Sequence, residues 1–194
     1  HINTIRAHVA AGGSYKSFVL AEGGQMSRDE IQVALMGKAA SAKLHGVYLG
    51  SGSQVLDNTT VIRHQAPGTK SDENYRGALN GQSRGVFQGN ILVNKGADGT
   101  DGRMNNKTIL LSGDAEINSK PQLEIYADDV QCAHGSTAGE LDEEALFYLR
   151  TRGIPEAQAR KILVEGFLAE VMEEFSLGEL AGAFQARISS WMEA

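Results

Sequence analysis

Residues 120–154, KPQLEIYADDVQCAHGSTAGELDEEALFYLRTRGI, mark the point at which strand patterns give way to helix patterns. Up to residue 139, short runs alternate between apolar and polar residues, as in strands with one buried face. From residue 140 onward, apolar residues recur at helical spacing. The stretch also holds the only cysteine, Cys132, and one of the five histidines, His134. It predicts a mainly β domain over residues 1–139 and a small C-terminal α-helical domain over residues 140–194.

The strand patterns before residue 139 restrict the fold class. Turn-favouring Gly, Asn, Asp and Ser residues separate the runs. Almost no helix pattern interrupts them, which argues against βαβ units and a Rossmann sheet. A sandwich, a barrel and a stacked β-helix stay open, and the lack of a strict six-residue period favours an irregular right-handed β-helix over a left-handed one. The runs are residues 4–9, 14–22, 30–36, 43–49, 54–64, 84–94, 107–112, 116–119 and 123–126.

The tail has the pattern of three helices. Asp142 is suited to cap a first helix that Gly153 ends. Pro155 is suited to the first turn of a second helix, and Ser176 with Glu179 has the spacing of a capping box for a third. Such helices bury their apolar stripes against each other, the β domain or another protein. The stripe of the second helix contains Ala159, Ile162, Leu163, Gly166, Phe167, Val171 and Phe175.

Composition and charge restrict the class of protein. The 194 residues are 41% hydrophobic and 22% charged, as in globular proteins. Residues 140–194 hold 11 acidic and 5 basic side chains and so account for the whole net charge of −6. The balanced remainder predicts no nucleic-acid partner, and no apolar run reaches the roughly 18 residues of a membrane span. We expect a cytoplasmic protein, because no secretory signal precedes the first strand pattern, and we expect the β domain to be N-terminally truncated.

The Cys132-x-His134 pair is the clearest candidate for metal chemistry. Residues two apart on a strand share a face, so the thiol and the imidazole can point to one surface. Both are ligands for zinc, iron and iron–sulfur species, but a stable site needs three or four ligands. This chain has no second cysteine. Spacing alone therefore favours the simpler interpretation, in which Cys132 is a small buried residue and His134 an ordinary histidine.

Other motifs carry weaker signals. Asp128 and Asp129 are adjacent and would point to opposite faces of a strand, so a turn fits them better than a pair of glycosidase acids. His8, His45 and His64 lie in separate strand patterns without neighbouring ligand types. The chain has neither the Gly-Lys-Ser/Thr ending of a phosphate loop nor a Gly-x-Ser-x-Gly elbow. A polysaccharide-binding or polysaccharide-cleaving β-helix is the alternative function, and a purely structural interaction module is a third.

Two runs in the opening stretch carry a specific resemblance. YADDVQCAHG, residues 126–135, followed by LDEEALFYLRTRGI, residues 141–154, resembles the SufB/SufD family of iron–sulfur cluster assembly proteins, and within it the SufD branch. The resemblance implies a right-handed parallel β-helix followed by a helical domain. It also implies a scaffold subunit of the SUF system rather than an enzyme, with ATP hydrolysis in a partner.

The resemblance further implies partners and site residues. It implies pairing with a SufB-like subunit and recruitment of a SufC-like ABC-type ATPase, while an isolated chain could self-associate through the same surfaces. His134 would be the metal ligand at the subunit interface, holding a transient iron–sulfur cluster shared with the partner, and Cys132 would be a second ligand. No cofactor is expected in the isolated chain. The ATPase-docking surface implied by the resemblance contains Phe147, Tyr148, Arg150, Arg152, Gly153 and Ile154.

Overall fold

Ten strands precede three α-helices in the computed structural model of the protein, which describes residues 1–193. The strands are β1 Ile2–Val9, β2 Ser14–Glu22, β3 Met26–Leu35, β4 Ser41–Gly50, β5 Val55–His64, β6 Lys70–Leu79, β7 Arg84–Val93, β8 Asp101–Leu110, β9 Glu116–Ile125 and β10 Gln131–Gly139. The helices are α1 Glu143–Thr151, α2 Glu156–Phe175 and α3 Ala181–Glu193, with a 3₁₀ turn at Gly178–Leu180. None of these helices is both long and apolar enough to cross a membrane.

The strands form a parallel β-solenoid. Odd-numbered strands make one sheet in the order β1-β3-β5-β7-β9, and even-numbered strands make the other in the order β10-β8-β6-β4-β2. Every pairing is parallel, and each coil contributes one strand to each sheet, which gives about five coils. This arrangement confirms the predicted parallel β-helix with C-terminal helices and removes the sandwich and the barrel.

Alternation along the strands builds one continuous core between the two sheets. In β3, for example, Ile31, Val33 and Leu35 are buried and the residues between them face outward. The same face of each successive coil stacks on the one before it, so core residues from β3 to β8 form one cluster. Hydrophobic burial shared between coils is therefore the main source of stability.

Strand β6 has no counterpart among the runs predicted from the sequence. Its inward positions are Ser71, Glu73, Tyr75, Gly77 and Leu79, so only two of the five are large apolar residues. Glu73 and Tyr75 are each 1% exposed. A strand whose buried face is mostly polar or small does not display apolar alternation, and this is why the sequence predicted no run over residues 70–79.

The ends of the helices follow most of the local sequence signals, and Pro155 directly precedes α2 as its N-cap residue. The Asp142 side chain accepts hydrogen bonds from the backbone N–H groups of Glu144 and Ala145, which confirms the predicted cap of α1. Gly153 has a φ of +85° just after α1, as predicted for a helix-ending glycine. The capping box at Ser176 is wrong. Ser176 instead ends α2 in the left-handed conformation, with φ 61° and its backbone N–H bonded to the carbonyls of Met172 and Glu173.

Helix α2 packs on the outer face of the even-numbered sheet. Val47, Leu49 and Ala78 point outward from β4 and β6 and form a second core with the buried residues of α2 and Ile188 of α3. The stripe predicted for α2 is therefore partly misplaced. Ile162 is 42% exposed, and the buried residues of α2 are Ala159, Val164, Leu168, Val171 and Met172.

Polar contacts fix α2 at its middle and at its end. The buried Arg76 of β6 donates to the Phe167 carbonyl at 2.7 Å, pairs with Glu170 and lies over the Phe167 ring. Lys43 of β4 donates to the Glu174 carbonyl at 3.0 Å, in the last turn of α2. A cation at this position offsets the negative end of the helix dipole.

Candidate functional site

Strand β10 places the Cys132-x-His134 pair on the inner face of the last coil. In the register with β8, Cys132 lies beside Gly102 and His134 beside Met104, and both β8 residues face the core. Ser136, two residues further along the same face, bonds across to Ser119 of β9 at 2.7 Å. The expectation that thiol and imidazole share one face of a strand is therefore confirmed.

Cys132 is the half-buried member of the pair. Its side chain packs against the solenoid core, and a Cβ on the neighbouring Gly102 would lie 3.4 Å from its Sγ. Burial raises the pKa of the thiol above its usual value, mainly because it removes water from the thiolate. Cys132 therefore holds its proton more firmly than a free thiol does, which makes it a weak ligand until a cation displaces that proton.

His134 is the exposed member of the pair. Its strand borders a cavity of about 410 Å³ that lies between β6, β8, β10 and the end of α2, with Asp72, Arg103 and Glu174 among its walls. Within residues 1–193, no three His, Cys, Asp or Glu side chains come close enough together to hold a metal ion. An exposed imidazole with one thiol on its strand is thus an incomplete donor set in this chain.

The last coil is open at its end. β9 and β10 are the final strands of the two sheets, and each has a partner on one side only among the described residues. Their inner faces present Ile117, Pro121, Leu123, Cys132 and Ala138 around the polar group of Ser119, His134 and Ser136. Unpaired backbone groups on two adjacent edges are a surface on which another chain can add strands.

The residues predicted for ATPase docking form the exposed end of α1 and its turn into α2. Phe147 is 68% exposed and Tyr148 57%. Arg152 lies over the Tyr148 ring and donates to its hydroxyl at 3.0 Å, which orders the turn. Arg150 pairs with Glu156 at 3.4 Å, Gly153 is exposed and Ile154 is half-buried. Five of the six residues are therefore exposed, and Ile154 is half-buried.

A cavity separates this helical region from the edge of the solenoid. It has a volume of about 610 Å³ and lies between the outer faces of β8 and β10 and the helices α1 and α2. Ile109, Ile162, Leu163 and Phe167 contribute apolar walls, and Lys107, Asp142 and Glu170 contribute charged ones. The outer face of β10 is consequently less tightly covered than that of β4.

The remaining candidates have structural roles or none. His64 is buried and bonds to the hydroxyls of Thr69 at 2.8 Å and Ser71 at 2.9 Å, while burial lowers its pKa to about 4. His45 is also buried and contacts Asp72 at 2.9 Å, whereas His8 is exposed on the outside of the first coil. Asp128 and Asp129 lie in a corner, where Asp129 has a φ of 53°, as the interpretation of a turn required.

The sequence analysis did not identify the other residues near His134 on the open inner face of the last coil. Ser136 could have been identified, because it stands two residues after His134 and shares its face. Ser119 and the apolar Met104 could not have been identified, because only the stacking of coils brings them to Ser136 and His134. Their positions depend on how many residues each corner contains, and local sequence carries no signal for that.

The fold and the site define a class: a parallel β-solenoid whose open last coil presents an incomplete soft-donor set next to a helical region. The family described as "SUF system FeS cluster assembly, SufBD core domain" matches residues 1–167. The chain belongs to this family, which confirms the resemblance seen in residues 126–154.

Known members are similar to most of this chain. The iron–sulfur cluster assembly protein SufD of Escherichia coli is 36% identical over 173 residues, which cover 89% of this chain and 40% of that protein. A SufBD-family assembly protein of Mycobacterium bovis is 32% identical over 201 residues, covering 100% of this chain and 51% of its own length. One from Synechocystis is 29% identical, covering 97% and 42%. The chain thus spans about half or less of the length of these relatives.

Proposed function

We propose that this chain is a noncatalytic subunit of a cytoplasmic SUF scaffold that pairs with a SufB-like subunit and recruits a SufC-like ATPase. His134 supplies one ligand to an iron–sulfur cluster that is built at the interface between the subunits. The observation that carries this proposal is the exposure of His134 on the inner face of the last strand of an open solenoid.

The incompleteness of the donor set supports a shared site. A cluster needs several soft or borderline ligands, and this chain offers one exposed imidazole and one half-buried thiol. A partner that adds strands to β9 and β10 would bring its own side chains opposite this inner face. The cluster is the cargo of the scaffold, so release requires that no single subunit hold it completely.

The two predicted ligands have unequal roles in this proposal. The His134 imidazole is accessible and can bind iron through a neutral nitrogen. Burial raises the pKa of the Cys132 thiol, so this side chain loses its proton and becomes a ligand only after iron is already nearby. His134 is therefore the first ligand that this chain provides.

The ATPase surface is assigned to Phe147, Tyr148, Arg150, Arg152, Gly153 and Ile154. Exposed adjacent aromatics beside arginines are the residue types that dominate the energetics of protein interfaces. The link from this surface to the site is short, because β10 ends at Gly139 and α1 begins at Glu143. Movement of α1 by an ATPase pair would pull directly on the strand that carries His134.

Substitution of His134 by alanine tests the cluster assignment. In the complex reconstituted from the full-length protein, the SufB-like subunit and the ATPase, His134→Ala should lower the cluster yield at least tenfold while all three proteins still co-elute. The matched control is His8→Ala, which removes an exposed histidine from the outside of the first coil. Equal cluster yields in the wild type and His134→Ala would contradict the proposal.

A further inference from the structure

A chain of hydrogen-bonded side chains runs inside the solenoid toward the His134 face. The buried Tyr48 hydroxyl of the second coil donates to the Asn106 Oδ1 atom of the fourth coil at 3.0 Å. Asn106 Nδ2 donates to the Ser119 Oγ atom at 3.2 Å, and Ser119 is bonded to Ser136 at 2.7 Å. These hydrogen bonds connect the inner core to the open end of the last coil.

In this series of hydrogen bonds, one hydroxyl proton has no acceptor among the described residues. Because Tyr48 donates to Asn106 Oδ1, the amide nitrogen of Asn106 faces Ser119, and Ser119 Oγ must accept from it. If Ser136 donates to Ser119, then the Ser119 proton has no acceptor among residues 1–193. If Ser119 donates instead, the Ser136 proton has none. In either case the serine pair has one free O–H donor, next to the His134 side of the end face.

The position of the pair makes that donor useful to a ligand of His134. Ser136 and His134 stand two residues apart on the same face of β10, and Ser136 is exposed while Ser119 is half-buried. The half-buried Ile117 and Pro121 flank Ser119 on the inner face of β9, and Cys132 lies on the inner face of β10, so a partner docked on these faces would exclude water from the pair. A hydrogen bond made there would be stronger than one made in water.

We propose that Ser119 and Ser136 form a sulfur subsite, in which the free hydroxyl donates a hydrogen bond to a sulfide of the cluster held by His134. An anionic sulfide is an acceptor that lacks protons, so it matches a site with a donor to spare, and hydrogen bonds to cluster sulfurs tune the reduction potential. This inference rests on the proposed function and assigns the serines as positioning residues of the same site.

The test compares serine variants in the reconstituted complex, loaded with ferrous iron and sulfide. The double variant Ser119→Ala/Ser136→Ala should speed loss of the cluster to a chelator roughly tenfold, the effect of losing one hydrogen bond to a charged acceptor. A single alanine would leave the other serine with a free hydroxyl. Ser119→Ala/Ser136→Thr keeps one hydroxyl and should restore most of the retention. Thr137→Ala, on the opposite face of the same strand, is the matched control and should change nothing.

Resonance Raman spectra in H₂O and D₂O separate a hydrogen bond from a packing effect. The wild-type complex should show a deuterium shift of the iron–sulfide stretching bands, and the double alanine variant should lose it. Unchanged spectra and retention in the double variant would overturn the sulfur subsite, as would a signature of an oxygen ligand on iron that the double variant abolishes. His134→Ala, measured in parallel, tells the two proposals apart. If His134→Ala loses the cluster and the serine variants keep it, only the sulfur subsite is contradicted. If His134→Ala keeps the cluster fully, both the ligand role of His134 and the sulfur subsite are contradicted.

Discussion

Glu73 shows how a single residue can oppose the pattern that builds the solenoid. It points into the core between Leu44 and Met104, is 1% exposed, and neither of its carboxyl oxygens has a hydrogen-bond partner among the described residues. Burial raises its pKa from 4.5 to about 8, so the folded protein keeps this side chain protonated near neutral pH.

Glu73→Gln should change how stability depends on pH. Between pH 4.5 and about 8, the unfolded chain ionises Glu73 while the folded protein must keep its proton, so wild-type stability falls as pH rises through this window. Glutamine has the same shape and no charge. We expect it to raise the free energy of unfolding by on the order of 2–4 kcal/mol at about pH 8 and to have little effect at about pH 4.

Urea unfolding of both proteins across this range provides the measurement. The difference between variant and wild type cancels the contribution of His64, whose lowered pKa destabilises both proteins below pH 6.5. A difference that stays constant with pH would mean that Glu73 is ionised in the folded protein.

Gly77 is a position at which the packing of the Tyr48 ring requires glycine. A Cβ at this position would lie 2.0 Å from the Tyr48 ring, which crosses Gly77 to reach Asn106 and Thr108. Gly77→Ala should therefore displace Tyr48 and lower the free energy of unfolding by about 2–3 kcal/mol. Gly135→Ala is the control, since its Cβ would meet its nearest neighbour, Asn105, at 3.5 Å. Comparable thermal unfolding of the two variants would show that Tyr48 can move without cost.

At the scale of elements, helix ends were more predictable than strand membership. The cap of α1 depends on one side chain and two backbone N–H groups nearby in sequence, so Asp142 could be recognised directly. Strand β6 depends on neighbours in β4 and β8, so a strand with this polar inner face could not be recognised from the sequence. Local chemistry determines a cap, whereas a strand needs partners from other coils.

Asp142→Ala tests the local control of α1. Loss of the cap should lower the stability of α1 by about 1 kcal/mol, because the N–H groups of Glu144 and Ala145 lose their acceptor. Native-state hydrogen exchange should show faster exchange over Glu143–Thr151 and little change in β4. Asp142→Asn keeps an acceptor oxygen and should behave as wild type. Uniformly faster exchange throughout the molecule would contradict a local role.

At the scale of the whole molecule, the short segment between β10 and α1 joins the two surfaces assigned to function. The open inner face of the last coil carries His134, and helix α1 carries the exposed aromatics Phe147 and Tyr148. The helices also cover Val47, Leu49 and Ala78 of the even-numbered sheet. Deleting residues 140–194 would thus expose part of a core, so point substitutions are the better probe of the turn.

Phe147→Ala and Tyr148→Ala should weaken ATPase binding without unfolding the protein. Both side chains are mostly exposed, so their loss should cost the fold little, while aromatic anchors at interfaces contribute about 2 kcal/mol or more each. Titration calorimetry with the purified SufC-like ATPase should show affinities at least tenfold lower. Leu180→Ala removes a side chain that is 59% exposed and lies outside the turn, and it serves as control. Unchanged affinity in both aromatic variants would remove this surface from the proposal.

The sequence by itself determined the β-rich class, most strand positions, the start of α1 and, through residues 126–154, the family. These features depend on period, caps and motifs, which act over a few neighbouring residues. Only the tertiary structure decided that the strands of the β-helix divide into two sheets, that β6 belongs to one of them, and that Ser119 joins Ser136 beside His134. Contacts between coils join residues that are distant along the chain, such as the 26 positions from Ile2 to Arg28 or the 32 from Arg84 to Glu116. No local pattern encodes such distances, because the corners between strands vary from three residues to seven.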